Sequence, residues 1–369
     1  MGVNRIFILG AGFSKQVGMP LANELTDLIL ERFKEYKQTE MLAWFDNLKC
    51  RIDWLEKASG KKSGGVNIEQ VFDLASFDAE LWKMAQHRCS LGRTHGDTPW
   101  QIAKDIEAWL IYMEDDLRDV IWERQKNARQ KLSLIEQFSQ NLREDHAVLS
   151  FNYDTLLEES LTKIGKPWRY GFAREDGGGI PVLKMHGSIN WAVARRDQSR
   201  NFDYPILFEK EDRNKQCENG NPTGEEEYDT VLLRIPDDKL ANRIEKRDLQ
   251  LGHKRYEIGI AGLGSYKPLH KTPGSGEVWF NATKALREAQ EIYIIGFSLS
   301  PFDNMARLHF GGMMCKRAEK KNLPQKVVLI DPKACDLKTN FASVFGPDVR
   351  MMLLEQKAEE VQWAEIMAG

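Results

Sequence analysis

Asn4-Arg5-Ile6-Phe7-Ile8-Leu9-Gly10-Ala11-Gly12-Phe13-Ser14-Lys15-Gln16-Val17-Gly18-Met19-Pro20 decides how this chain folds. Ile6 to Leu9 is an apolar run with no polar interruption, which suits a strand covered on both faces of a parallel sheet. The chain turns at Gly10-Ala11-Gly12 and has a helical pattern by Leu21. A strand, a glycine turn and a helix start together make an anion site: glycine lets the backbone approach a pyrophosphate, and the first helical N–H groups point at it. Ser14 adds a hydroxyl donor. Lys15 stands where a G-x-G-x-x-G fingerprint has its last glycine, and an ordinary strand-to-helix turn reads equally well here.

Outward from that unit the chain turns helical. Leu21, Leu25, Leu28, Ile29 and Phe33 share one face of a helix running to about Tyr36, with Pro20 in its first turn. Lys61 to Gly65 reads as a solvated loop. Ile68 to Met84 carries the stripe Val71, Leu74, Ala75 and Leu81, and further helices are predicted over Trp100–Trp122 and Leu132–Leu142. About one hundred residues of helical sequence are too many for one crossover between neighbouring parallel strands, so they are expected to form an insertion.

Strand signals then resume. Ala147 to Tyr153 ends in Phe151-Asn152-Tyr153-Asp154 before another helix, and Pro181 to Met185 delivers His186-Gly187-Ser188-Ile189-Asn190-Trp191. Ligands of doubly wound folds bind outside the carboxyl ends of the strands, which puts Asn152, Asp154 and His186 where chemistry is done. Asp154 reads equally as a helix cap or turn residue, and His186 as a hydrogen-bonded structural histidine. After a helix from Val278 to Ala289, Glu291 to Phe297 is a buried strand followed by Ser298-Leu299-Ser300-Pro301-Phe302-Asp303 and a helix from about Asn304. Val327 to Ile330 is the last strong strand and ends at Asp331-Pro332-Lys333. An acid there suits ribose hydroxyls, or a turn before proline. The fold class expected is α/β: a Rossmann-like doubly wound parallel sheet with a large helical insertion.

Composition narrows the class. The chain has 369 residues and a net charge of −3, so no bulk basicity points to nucleic acid. Arg195 to His270 is highly charged with mixed signs, as a solvated insert would be, with a possible strand at Thr230 to Ile235. Gly262 to Lys267 resembles a phosphate loop but follows no good strand. Cys50, Cys89, Cys217, Cys315 and Cys335 lie far apart with no C-x-x-C, which speaks against a disulfide framework or a structural zinc site. With no signal peptide and no apolar stretch of membrane-spanning length, a cytoplasmic protein is expected.

The ordered strand ends GAGFS, FNYD, HGSIN, GFSLSPFD and DPK resemble the sirtuin (silent information regulator) family of NAD-consuming enzymes. They look most like its divergent bacterial branch, whose members act as NAD hydrolases in defence against phage. The resemblance covers roughly half the chain and implies a core of residues 1–35, 146–192 and 278–369. It leaves a helical insertion at 36–145 and a charged insert at 193–277, where sirtuin deacylases carry a four-cysteine zinc module. Only Cys217 lies in that insert, so no zinc is expected. The family's run after the first glycine motif is replaced by Pro20-Leu21-Ala22-Asn23, a departure from the deacylases.

By the resemblance, Gly10, Ala11, Gly12 and Ser14 cradle the NAD pyrophosphate. Asn152 orients the nicotinamide ribose and the attacking water, Asp154 lies near the carboxamide, and His186 is the catalytic histidine. Ser298 contacts phosphate or ribose, and Asp331 the adenosine ribose. The activity implied is NAD+ hydrolysis to nicotinamide and ADP-ribose, gated by homo-oligomerisation or by a partner such as a HerA-like ATPase. A deacylase or ADP-ribosyltransferase using the same site, and a non-enzymatic NAD or ADP-ribose sensor, are the other readings.

Overall fold

The structure, a computed structural model, describes residues 2–35, 39–58, 66–89, 99–172, 175, 178–195, 206–209, 230–235, 257–260, 274–301 and 303–367. Its centre is the expected parallel sheet. In chain order the strands of that sheet are β1 (Arg5–Leu9), β2 (His146–Ser150), β3 (Trp168–Arg169), β4 (Ile180–Lys184), β9 (Glu291–Ile295), β10 (Lys326–Ile330) and β11 (Met351–Leu354). Their spatial order is β11-β10-β9-β1-β2-β4-β3, all parallel. The chain builds outward from β1 on one side and from β9 on the other, so the β1–β9 boundary is the topological switch point.

Strand alternation divides the core into two faces. Ile6 and Ile8 of β1, with Ala147, Leu149, Ile292 and Ile294, pack against α8 (Ser275–Glu288), α9 (Asn304–Glu319) and α10 (Ala334–Phe345). Phe7 and Leu9, with Val148, Tyr293 and Ile295, face the helical side. There lie α2 (Ala22–Glu35), α3 (Thr39–Ala58), α4 (Ile68–Cys89), α5 (Pro99–Ala128) and α6 (Ser133–Gln140), with the short α11 (Trp363–Met367). Phe33, Phe45, Ile68, Val71 and Trp122 from these helices share one core with the sheet. The helical layer is therefore a wall of the sheet domain.

Four differences from the sequence reading have physical causes. Helix α3 was not expected, although Met41, Phe45, Leu48 and Ile52 form its buried stripe. Leu42, Trp44, Trp54 and Leu55 lie off that stripe and blur its period. Strand β11 follows the strand read as the last, at the sheet edge where its burial is only partial. The stretch after His186 is itself strand: His186 closes the two-residue turn Met185–His186, and β5 (Gly187–Arg195) starts at the next residue. Finally, β5 pairs antiparallel with β7 (Thr230–Arg234) and β8 (Glu257–Ile260), and β7 with β6 (Ile206–Glu209). The charged insert thus supplies β6, β7 and β8 of a second sheet of order β6-β7-β5-β8, with β7 on the stretch read as a possible strand. Cys217, Lys61 to Gly65 and Gly262 to Lys267 lie outside the described residues.

Candidate active site

The switch point is closed by glycines. Helix α1 (Ala11–Lys15) starts directly after β1 with Gly10 as its N-cap. A Cβ on Gly10 would meet Phe297 Cα at 2.5 Å, and one on Gly12 would meet Gly296 Cα at 2.7 Å. Gly296 itself has φ +57° and would place a Cβ 2.3 Å from Phe13 N. Three glycines let the ends of β1 and β9 touch backbone to backbone. Gly10 N donates to Ile295 O at 3.1 Å and Gly12 N to Gly296 O at 2.9 Å. Those amides are used inside the fold. Lys15 reaches Glu24 of α2 at 2.6 Å.

Asn152, two residues beyond β2, turns inward against this turn. Its Nδ2 donates to Gly10 O at 3.0 Å and to Ser14 Oγ at 3.1 Å, which fixes the orientation of the amide. Its Oδ1 is buried with no partner. A buried carbonyl left unsatisfied is uncommon and marks a place where a ligand or water is accepted. Ser14 is itself 2% exposed. Asp154 is buried, accepts from Leu156 N at 3.2 Å, and so caps α7 (Leu156–Lys163). Burial pushes its carboxyl above the ordinary range, while Lys184, Ser14 and the Leu156 amide act the other way.

His186 stands at the end of β4. Its Nε2 lies 3.0 Å from Asp303 Oδ2, and both side chains are buried. Asp303 is placed by a second duty: its Oδ1 accepts from Ala306 N at 3.3 Å and caps α9. Phe151 meets the imidazole edge-on, with centroids 4.9 Å apart, and stacks on Phe297 at 4.3 Å. These rings form an apolar floor under the histidine. The Tyr153 ring is tilted against the imidazole, with centroids 5.8 Å apart. The Tyr153 hydroxyl is also buried without a hydrogen-bond partner. Burial holds its pKa well above the ordinary value, reinforced by Glu69, Asp303 and Glu114, so the phenol remains a proton-bearing donor. Glu69 and Glu114 belong to α4 and α5, so the helical layer contributes to the site's electrostatics.

The structure therefore brings Gly10, Ser14 and Asn152 into one network, leaves Asp154 as the cap of α7, and pairs His186 with Asp303. Ala11 and Gly12 lie half-buried in the same turn. Ser298, exposed, and Asp331, half-buried, stand at the ends of β9 and β10 outside that network among the described residues. Asp331 Oδ1 accepts from Lys333 N at 2.8 Å in its own turn. Sequence reasoning did not single out Asp303, Tyr153 or Gly296. Leu299, buried at φ +50°, marks the β9–α9 loop as strained, which is legible only in the backbone.

No protein-family model and no curated protein matches the chain. Solved structures do. One, described under the mechanism and regulation of Sir2 enzymes, aligns over 100% of this chain and 91% of its own at 12% identity, with a TM-score of 0.38. Another, a Sir2–p53 peptide–NAD+ complex, aligns over 99% and 92% at 11% identity, with a TM-score of 0.40. A likeness of this size assigns the chain neither a family nor an activity. Among the described residues, no helix is long and apolar enough to cross a membrane, and no group of three His, Cys, Asp or Glu could hold a metal ion.

Proposed function

We propose that this protein hydrolyses NAD+ to nicotinamide and ADP-ribose at the ends of β1, β2 and β4. The observation that carries the reading is the buried, unpartnered Oδ1 of Asn152 at the switch point, with the His186–Asp303 pair at a nearby strand end. The strand-end motifs of the sequence, which resemble those of NAD-consuming sirtuins, name the substrate.

The nicotinamide–ribose bond breaks with its electron pair leaving on nicotinamide, which departs neutral, so no strong general acid is required. Water adds to the ribose carbon and gives up one proton. In this chain Asn152 Oδ1 accepts from that water or from a ribose hydroxyl. His186 takes the proton, and Asp303 holds the ring and balances the charge it acquires. Gly10 to Ser14 lie along the pyrophosphate, Asp154 stands behind Ser14 on the nicotinamide side, and Ser298 and Asp331 face phosphate and ribose further along the strand ends. The stacked rings of Phe151 and Phe297 keep bulk water from below the histidine.

The buried histidine–carboxylate pair beside the unpartnered amide oxygen of Asn152 favours an enzyme over a sensor. Transfer to an acyl-lysine or ADP-ribose acceptor would use the same site and is separated by product analysis with and without protein acceptors. The physiological role that follows from the resemblance is bacterial anti-phage defence by NAD depletion, restrained by self-assembly or by a HerA-like ATPase. Trp54, Phe77 and Met84, exposed on α3 and α4, offer an apolar surface for assembly. The test is nicotinamide release from NAD+ by purified protein, followed by chromatography, with Asn152→Ala alongside. Release abolished in the variant supports the reading. Absence of both release and calorimetric NAD+ binding in the wild type overturns it.

A further inference from the structure

Tyr153 follows Asn152 at the end of β2, and its ring lies against the imidazole of His186. Its backbone is fixed from β5: the carbonyl oxygen accepts from Ile189 N at 3.0 Å and from Ser188 Oγ at 3.4 Å. The residue is 8% exposed and belongs to the apolar core shared by the sheet and the helical layer. Its hydroxyl is enclosed with the ring and has no hydrogen-bond partner. A phenylalanine would fill that place without stranding a polar group, because a hydroxyl buried without a partner costs stability and a buried tyrosine usually finds one. Packing alone therefore does not explain the tyrosine. Among the described residues of this strand end, the other unpartnered buried polar atom is Asn152 Oδ1, one residue away. Two open groups on adjacent residues, both beside the strand ends that carry Ser14 and His186, ask for one ligand that completes them.

We propose that Tyr153 is a substrate-recognition residue whose phenol donates a hydrogen bond to the carboxamide oxygen of the nicotinamide ring. The two open groups differ in what they can take. Asn152 Oδ1 only accepts, which suits water and ribose hydroxyls, since these bring protons. The phenol brings a proton of its own, which suits a carbonyl oxygen, and the carboxamide holds the one carbonyl of NAD+. That carbonyl sits on the departing ring, next to the ribose carbon that Asn152 and His186 serve. Burial keeps the phenol protonated well past neutrality, so the donor persists across the working range. A pyridine base without a good acceptor at this position leaves the hydroxyl stranded, and a site built around such a donor discriminates against it.

The inference rests on the NAD+ hydrolase reading, and one arm of its test needs no turnover. Nicotinamide is titrated calorimetrically into the wild type and Tyr153→Phe, beside thionicotinamide, whose sulfur is a poor acceptor. The wild type should bind nicotinamide about tenfold more tightly than the variant does, and the variant should lose the preference for oxygen over sulfur. Thermal melts without ligand should show Tyr153→Phe at least as stable as the wild type, because the hydroxyl removed has no partner in the fold. In the kinetic arm the variant should raise KM for NAD+ by about tenfold with a smaller change in kcat, and should process thionicotinamide adenine dinucleotide as the wild type does. A variant that binds both amides as the wild type does overturns the assignment, as does a wild type that binds neither at millimolar concentration. A variant less stable than the wild type without ligand overturns it too, since the hydroxyl would then be a structural group. A wild type that binds nicotinamide but releases none from NAD+ fails the hydrolase reading alone, and the two amide titrations still decide the role of Tyr153.

Discussion

Asp303 and His186 are 117 residues apart in the chain and 3.0 Å apart in space. Asp303 serves two groups at once, with one oxygen on the imidazole and the other on the first turn of α9. Asparagine caps helices as well as aspartate does, but it carries no charge to balance an imidazolium. Asp303→Asn should therefore fold with near-wild-type stability and lose on the order of 10² in kcat, with KM for NAD+ little changed. Steady-state kinetics beside a thermal melt measures both. An unchanged kcat would reduce the pair to a structural contact.

Asn152 has its nitrogen committed to Gly10 O and Ser14 Oγ, and its oxygen uncommitted. Asn152→Ala removes both halves. Losing the donor bonds should lower stability by about 1–3 kcal/mol, since Gly10 O and Ser14 Oγ stay buried. Losing the acceptor should abolish turnover at every pH. Asn152→Asp keeps an acceptor but sets a carboxylate against Gly10 O, and it too should be inactive. Substantial nicotinamide release by Asn152→Asp would show that the amide orientation is not what the reaction needs.

The sheet was legible because β1, β2, β4, β9 and β10 are apolar runs covered on both faces, each ending in polar residues or glycine. Asn152 and His186 stood out for the same reason. What was not legible depends on distance in the chain. Asp303 reads locally as a helix cap, and nothing in Ser298 to Asp303 announces a histidine over one hundred positions earlier. The second sheet pairs Trp191 with Arg234 across a charged stretch, and of its strands only β7 showed in the sequence. Gly296 looks like any glycine at a strand end until Phe13 and Gly12 are seen against it.

Gly296 gives a test of that packing independent of chemistry. A Cβ there would fall 2.3 Å from Phe13 N and 2.4 Å from Gly12 C, both backbone atoms, at φ +57°. Neither neighbour can rotate aside, so β1 and β9 must separate. Gly296→Ala should lower stability by roughly 2–4 kcal/mol, combining the overpacking and left-handed penalties. Gly346→Ala, also at positive φ (+89°) but with nothing within 4 Å, isolates the conformational part. Urea midpoints for the two variants should differ, with Gly296→Ala the lower. Equal midpoints would mean the contact relaxes without strain.

Asp116 of α5 sits in the helical layer facing Arg32, with Asp115, Asp119 and Arg118 around it. Burial, more than its like-charged neighbours, raises its pKa to about 7 from 3.8. The unfolded chain releases that proton near pH 4, whereas the folded chain keeps it until about pH 7. Across that window the folded state binds more protons, so stability falls as pH rises, and the loss is complete above pH 7. Arg32 retains Asp119 and Glu123 when Asp116 is neutral. Asp116→Asn should therefore be more stable than the wild type at pH 8, by on the order of 2 kcal/mol after allowance for solvent screening. The advantage should vanish by about pH 4. Urea unfolding of both proteins from pH 4 to pH 8 reads the difference directly. A variant less stable than the wild type at pH 8 would mean that the Arg32 contact outweighs the burial of the charge.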